Sequence, residues 1–176
     1  MKEYKINIEA LNAVLPATSK EEISFCFDGV YIEDKEGFRH YTATEGHILF
    51  TVKTEIDGDS LEKPLILRIK KPLKYKRNVI GMMQVVDDET VVIKTNQEKV
   101  AVDIIDSTYP DYERVIPPEN TPKASEFALF DPYYMKMVNT FLGVRAIVPL
   151  MESANSPALY IKYNKKAVLM PMREDR

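Results

Sequence analysis

Three consecutive stretches of this sequence repeat one order of predicted elements, and this repetition constrains the fold more than any other feature. Each stretch opens with a short strand pattern, continues with a helical pattern and ends in three further strand patterns. In the first stretch these are a strand at 3–6, a helix at 8–15 and strands at 24–32, 38–44 and 47–53. A repeated unit that cannot bury both of its faces alone pairs with another copy of itself. Two such units therefore make a domain, and three make one and a half.

The second and third stretches follow the same order. The second has a strand at 65–69, a basic segment that we predict to be helical from Pro72 to about 80, and strands at 83–86, 90–94 and 100–105. The third has a strand at 126–130, a helix at 132–142 and strands at 145–151, 158–163 and 167–172. Asp131 suits the N-cap of that helix and Gly143 its C-terminal end. Loops at 54–64 and 117–124 separate the units, and the three prolines of the second loop make it the better domain boundary.

Composition limits the class of protein without deciding its function. The net charge of −3 argues against a bulk polyanion binder but permits a local basic surface. The longest apolar runs, such as 146–151, are too short to cross a bilayer, and the first residues lack the apolar core of a secretion signal. The single cysteine, Cys26, excludes an internal disulfide and fits a buried strand position. We therefore expect a cytoplasmic protein with no membrane partner.

Three short segments are each unremarkable alone. Residues 41–50 read YTATEGHILF, which is typical of a hairpin turning at Glu45-Gly46. Residues 109–117 read YPDYERVIP, which is typical of a loop. Residues 167–173 read AVLMPMR, where Pro171 restricts a terminal strand to a sheet edge and the two methionines are typical of core filling.

Taken together and in this order, the three segments resemble the signature segments of the bacterial DNA polymerase III beta subunit, the sliding clamp. Those segments read ATDGHRL, FPDYRRVLP and VMPMRL, and they match residues 43–49, 109–117 and 169–173 here. The resemblance implies an α+β clamp fold built from three strand-helix-three-strand units. It divides the chain into a complete clamp domain at 1–116, similar to the family's middle domain, a linker at 117–124, and a half domain at 125–176, similar to the second half of the last domain.

The resemblance also implies a function. It points to a non-catalytic processivity factor for DNA replication, with no cofactor. The implied partners are duplex DNA bound without sequence preference, DNA polymerase and other proteins that carry clamp-binding peptides, a clamp loader, and further copies of the chain in a homo-oligomer. An alternative stays open, because the family's first domain and half of its last one have no counterpart here. The chain could be a decoy that binds the same peptides without encircling DNA.

In the family, the three segments form an apolar pocket that receives partner peptides. Flexible methionine side chains can accept different Leu or Phe anchors, and two anchors suggest micromolar affinity, about −8 kcal/mol. Ile48 stands where the family has arginine, and Glu174 follows where it ends in leucine, which bears on partner preference. The matching pocket positions here are Phe27, Thr44, Gly46, His47, Leu49, Pro110, Arg114, Val115, Val168, Met170, Pro171, Met172 and Arg173.

The basic segment of the second unit supplies candidates for DNA contact, and the family's equivalent helix lines the DNA hole. The candidates are Lys70, Lys71, Lys74 and Arg77. A three-residue spacing would place cations on one side of the predicted helix, although an ordinary solvated surface explains them equally well. Phosphate contacts of this kind carry no sequence preference and weaken with salt.

Catalytic patterns are missing from the sequence. His40 and His47 are the only histidines and have no cysteine partner for a metal, and no glycine-rich phosphate loop occurs. Asp111 and Glu113 would share a face in an extended segment, but solvated loop acids explain them better. A small hydrolase is therefore strongly disfavoured.

Overall fold

The computed structural model describes residues 2–19, 25–77, 79–125 and 127–173 of the chain. This part folds into one continuous antiparallel sheet of ten strands and two α-helices, which confirms the predicted α+β class. In chain order the elements are β1 (Lys2–Asn7), α1 (Ile8–Val14), β2 (Val30–Lys35), β3 (Phe38–Thr44), β4 (Ile48–Glu55), β5 (Leu65–Arg68), β6 (Ile80–Val85), β7 (Thr90–Lys94), β8 (Lys99–Ile104), α2 (Pro132–Leu142), β9 (Ala158–Lys162) and β10 (Lys165–Leu169). Neither helix of this described part is long and apolar enough to cross a membrane.

The order of strands shows how the repeated units combine. Across the sheet the order is β1-β6-β7-β8-β5-β2-β3-β4-β10-β9. The opening strand of the first unit, β1, pairs with β6 of the second unit, and the opening strand of the second unit, β5, pairs with β2 of the first. The third unit joins through β10, which pairs along β4. The division of the chain at residues 117–124 stays a prediction.

The two faces of the sheet carry different clusters, because side chains alternate along each strand. One face packs against both helices in the main core, where the Phe50 ring of β4 stacks on Phe141 of α2 with centroids 4.1 Å apart. The opposite face carries a smaller apolar cluster that includes Leu49 and Val168. We call this second face the outer face.

Side chains from β3 cover the free edge of β1. The buried Arg39 guanidinium donates to the Lys5 carbonyl and forms a two-point ion pair with Asp34, with both N–O distances 2.7 Å. The Asn7 N–H donates to the Tyr41 hydroxyl at 2.8 Å. Two of the main-chain groups that β1 turns away from β6, the Lys5 carbonyl and the Asn7 N–H, therefore have partners without a further strand.

Several predicted elements are confirmed at their boundaries. The strands at 38–44 and 90–94 and the helix at 132–142 occur as predicted. Asp131 caps α2 by accepting from the Tyr133 N–H at 2.8 Å, and Gly143 ends the helix in the left-handed region at φ 62°. The strand predicted at 24–32 is correct only from Val30 onward, since residues 25–28 form a 3-10 turn and Ser24 lies outside the described residues.

The helix predicted from Pro72 is wrong. Side chains from other elements bond the backbone of this segment: Asn12 of α1 bonds both the N–H and the carbonyl of Leu73 at 2.8 Å, and Glu98 accepts from the Lys74 N–H at 2.6 Å. Arg77 adopts a positive φ of 62°, which a right-handed helix does not allow. These bonds replace the i to i−4 pattern that a helix requires.

Two predicted strands of the third unit are also wrong. Residues 127–130 and 145–149 are not paired as strands, although the described part includes isolated bridges from Leu150 to Lys123 and to Leu159. Their side-chain pattern fits a strand, but a strand requires a neighbouring strand, and Pro149 has no N–H to donate. Within the described residues, the second unit therefore has no helix after Pro72, and the third has two of its four predicted strands.

Candidate functional site

The outer face aligns residues from two of the three signature segments in one row. Thr44 of β3 lies opposite Leu49 of β4, Leu49 lies opposite Val168 of β10, and Val168 lies opposite Leu159 of β9. All four are buried, with exposed fractions of 8% or less. The row forms a buried, mostly apolar floor across four adjacent strands.

The remaining signature segment covers one side of this floor. Tyr109 and Tyr112, from the loop and 3-10 turn after β8, belong to the same buried cluster as Leu49 and Val168. Tyr109 stacks on Tyr31 of β2 with ring centroids 4.6 Å apart, and Phe27 meets it edge-on at 6.3 Å. The three segments that the sequence analysis singled out therefore meet at one place on the protein.

The tyrosine hydroxyls at this place stay neutral at physiological pH. Burial raises the pKa of Tyr112, whose hydroxyl also donates to the Glu33 carboxylate at 2.6 Å. Burial and the neighbouring Glu33 charge raise the pKa of Tyr31 to about 12. The Tyr109 hydroxyl lies beside the Thr44 backbone, yet it makes no well-formed hydrogen bond within the described residues. The site thus offers aromatic rings with neutral hydroxyls, beside the Glu33 carboxylate.

Two methionines extend the site beyond the end of β10. The Met170 N–H donates to the His47 carbonyl at 3.0 Å, and the Met172 N–H donates to the Leu129 carbonyl at 2.7 Å. Their side chains remain 40% and 52% exposed. The His47 ring stacks on Tyr134 of α2 at 5.8 Å. Flexible apolar side chains therefore stand beside the buried floor, where a second molecule can contact them.

The predicted pocket residues divide into three groups in the structure. Thr44, Leu49 and Val168 form the floor, with Phe27 at its edge. The residues of the β3–β4 turn and of the segment after β10 lie beyond the ends of these strands and are Gly46, His47, Met170, Pro171, Met172 and Arg173. Pro110, Arg114 and Val115 lie exposed on the tyrosine segment, where Arg114 pairs with Asp111 at 2.8 Å, and the structure shows no contact of these three with the floor among the described residues. A peptide-binding role for any of them stays a prediction.

Several residues that build much of the site were not predicted from the sequence. Tyr109 and Tyr112 stood inside the quoted segment, and their aromatic character was the available signal. Leu159 and Tyr31 carried no such signal, since only strand register brings them to the site. Leu129 reaches it through one backbone hydrogen bond of a segment outside any strand.

The predicted DNA contacts lie on the helix-covered side of the sheet. Leu73 and Ile69 are buried in the main core beside α1, while Lys70, Lys71, Lys74 and Arg77 are exposed. No carboxylate of the described chain forms an ion pair with these four cations. Because the segment is not helical, helical spacing no longer explains a shared direction for them. Lys136 of α2 also borders this side, in a groove of about 520 Å³ between α1 and α2.

The structure argues against an acid pair at Asp111 and Glu113. Glu113 pairs with Lys35 at 2.5 Å and Asp111 pairs with Arg114, so each carboxylate has its own cation at the surface. Within residues 2–19, 25–77, 79–125 and 127–173, no cluster of three or more His, Cys, Asp or Glu side chains could hold a metal ion.

Comparison with known proteins places the fold. No protein-family model matches the sequence, and no curated protein is significantly similar to it. The DNA polymerase sliding clamp of Pseudomonas aeruginosa matches over 98% of this chain with a TM-score of 0.75 and 15% identity. The DNA polymerase III subunit beta of Bartonella birtlesii, bound to griselimycin, matches over 98% with a TM-score of 0.78 and 16% identity. The pol III beta of Caulobacter crescentus matches over 99% with a TM-score of 0.75 and 17% identity.

These likenesses concern the fold. The chain has the fold of the bacterial sliding clamps, as the resemblance of its three segments predicted, and about one and a half clamp domains of it. It spans 66% of the length of the first two clamps.

Proposed function

We propose that this chain, which has the sliding-clamp fold, is a non-catalytic processivity factor that holds DNA polymerase and other partner proteins on duplex DNA. Partners would dock through short peptides on the apolar site of the outer face. DNA would lie along the helix-covered side. A clamp loader and further copies of the chain belong to the same proposal.

One observation supports this proposal more than any other. Three segments distant in sequence meet around the row formed by Thr44, Leu49 and Val168. The row carries no charged side chain, which suits the binding of apolar anchors. The flexible side chains of Met170 and Met172 can pack against apolar anchors of different shapes. Each fully buried anchor contributes roughly 1.5–3 kcal/mol to the binding free energy. Two anchors with a few hydrogen bonds give weak, exchangeable binding, which suits a docking site shared among partners.

A labelled peptide with a glutamine followed by Leu and Phe anchors tests the site. Fluorescence anisotropy should show saturable binding in the micromolar range. The double variant Met170→Ala with Met172→Ala should weaken binding about tenfold or more, because it removes several methylenes at roughly 0.8 kcal/mol each. Met82→Ala, a half-buried methionine on the distant β6, is the matched control and should bind normally. Absence of binding by the wild-type protein at high micromolar concentration would refute the site.

Charge reversal tests the DNA-facing side. Changing Lys71, Lys74 and Arg77 to Glu should abolish retention on circular duplex DNA and leave peptide binding intact. The control reverses three lysines that alternate onto the outer face, Lys35, Lys53 and Lys166, and should retain DNA. Retention of the native protein should fall steeply with salt. If both triple variants behave alike, the segment after β5 is an ordinary solvated surface.

The competing function is a decoy that binds clamp-binding peptides without encircling DNA. The segment after β5 favours it, because this segment is not helical and helical spacing no longer places its cations on one side. Peptide binding together with an absence of retention on circular DNA, even at low salt, would establish the decoy in place of the tether.

A further inference from the structure

The first two units show how units of this chain complete one another. Each unit gives its opening strand to the other. The opening strand β1 of the first unit pairs with β6, which comes after β5 in the second unit. The opening strand β5 of the second unit pairs with β2, which comes after α1 in the first unit. The exchange is reciprocal and antiparallel. It leaves neither opening strand without a partner.

The opening segment of the third unit lacks such a partner. Residues 127–130 alternate as a strand does, because Ala128 and Phe130 pack on the core while Phe127 is fully exposed and Leu129 is 55% exposed. Among the described residues, the one backbone hydrogen bond of this segment is that from Met172 to Leu129. The segment thus presents an apolar side and unpaired main-chain groups, which together favour strand pairing.

The segment after α2 is incomplete in the same way. Residues 149–151 bond to 122–124 of the same chain, but 146–148 make no backbone hydrogen bond within the described part. Val148 is 58% exposed there. This segment occupies the position in the third unit that β2 occupies in the first.

A groove runs along the free flank of α2, the helix that lies between the two incomplete segments in sequence. It has a volume of about 550 Å³, and Met135, Asn139 and Val144 line it. The Asn139 Oδ1 atom is buried there with no hydrogen-bond partner in the described residues. The opposite flank of α2 faces α1, so this groove lies where the helix of a paired unit would pack.

We propose that a second copy of the chain fills this place, so that two third units complete each other around a two-fold axis. Residues 127–130 of each copy pair with 146–148 of the other, and the two α2 helices cross antiparallel along the groove. That arrangement brings Asp131, at the start of one α2, opposite Arg145, beyond the end of the other, which gives two pairs of opposite charge. A self-complementary contact of this kind closes on itself as a dimer. It rests on the part of the proposed function that includes further copies of the chain and specifies their contact, but it can be tested without DNA or peptide.

Solution mass tests the proposal directly. Light scattering at tens of micromolar, without DNA or peptide, should give at least twice the chain mass of 20.2 kDa. Val148→Lys should raise the dissociation constant at least tenfold by placing a charge against the incoming strand. Val86→Lys is the matched control, an exposed valine on the turn after β6, and should leave the mass unchanged. A monomeric wild-type protein, or equal effects of the two lysine variants, would overturn the proposal.

Crosslinking identifies which segments pair. In a Cys26→Ser background, one tagged copy carries Phe127→Cys and a differently tagged copy carries Val148→Cys. Mild oxidation should join the two tags, whereas the pair Phe127→Cys with Val86→Cys should stay apart. An oligomer in which only the control pair crosslinks would place the interface elsewhere and refute this one.

Discussion

The two hydrogen bonds between Asn12 of α1 and Leu73, in the segment after β5, allow a quantitative prediction. The Asn12 amide accepts from the Leu73 N–H and donates to the Leu73 carbonyl, both at 2.8 Å, and Leu73 is only 4% exposed. Asn12→Ala leaves two main-chain groups without partners, at roughly 1–3 kcal/mol each. Alanine regains about 0.5 kcal/mol through its higher helix propensity. We expect the free energy of unfolding to fall by about 1.5–5.5 kcal/mol.

A matched variant separates burial from the bonds themselves. Asn96 makes the same two-bond bridge to the backbone of Lys76, but both residues are exposed. Water can replace those bonds, so Asn96→Ala should cost less than about 1 kcal/mol. Urea denaturation followed by far-ultraviolet circular dichroism measures both, with unchanged m-values as the check on two-state unfolding. Equal losses for the two variants, or a loss below about 1 kcal/mol for Asn12→Ala, would refute the reasoning.

Three further changes have defined outcomes. Phe141→Ala removes the ring stacked on Phe50 and should lower the free energy of unfolding by about 3–5 kcal/mol, measured by urea denaturation. Gly81→Ala places a methyl 2.6 Å from Ile8 Cδ1 in the core and should cost about 1–3 kcal/mol, seen as a lower Tm. Burial lowers the pKa of His40 below 6.5, so the folded protein binds fewer protons than the unfolded chain below that pH. Stability should therefore decline as pH falls from about 6.5, and His40→Gln should flatten that decline; equal slopes would contradict it.

The sequence predicts the strands of the first two units well for a local reason. In residues 38–44 and 90–94, alternation of side chains and nearby turn residues act over a few positions, and the structure follows them. The failures depend on distant residues. Pro72 suggested a helix start, but Asn12 and Glu98 bind the backbone that the helix needs. Neither partner is near that segment in sequence.

Some members of the candidate site were predictable, but its construction was not. The resemblance of the three segments to the clamp family identified Leu49 and Val168, whereas the register that sets them side by side on the outer face cannot be read from the segments. Leu159 entered the site through the same register. The segment at 126–130 was predicted as a strand because its side chains alternate in character. That alternation does not show whether a neighbouring strand exists to pair with it.

The covered edge of β1 limits how far this sheet can grow. Open strand edges are where proteins polymerise into fibres, and each added chain normally exposes a new edge to the next. Here the Lys5 carbonyl and the Asn7 N–H are already occupied by Arg39 and Tyr41. An incoming strand at that end would first have to displace a buried guanidinium from its carboxylate partner. Addition of chains to this end should therefore stall, and a concentrated solution should hold finite particles rather than fibrils.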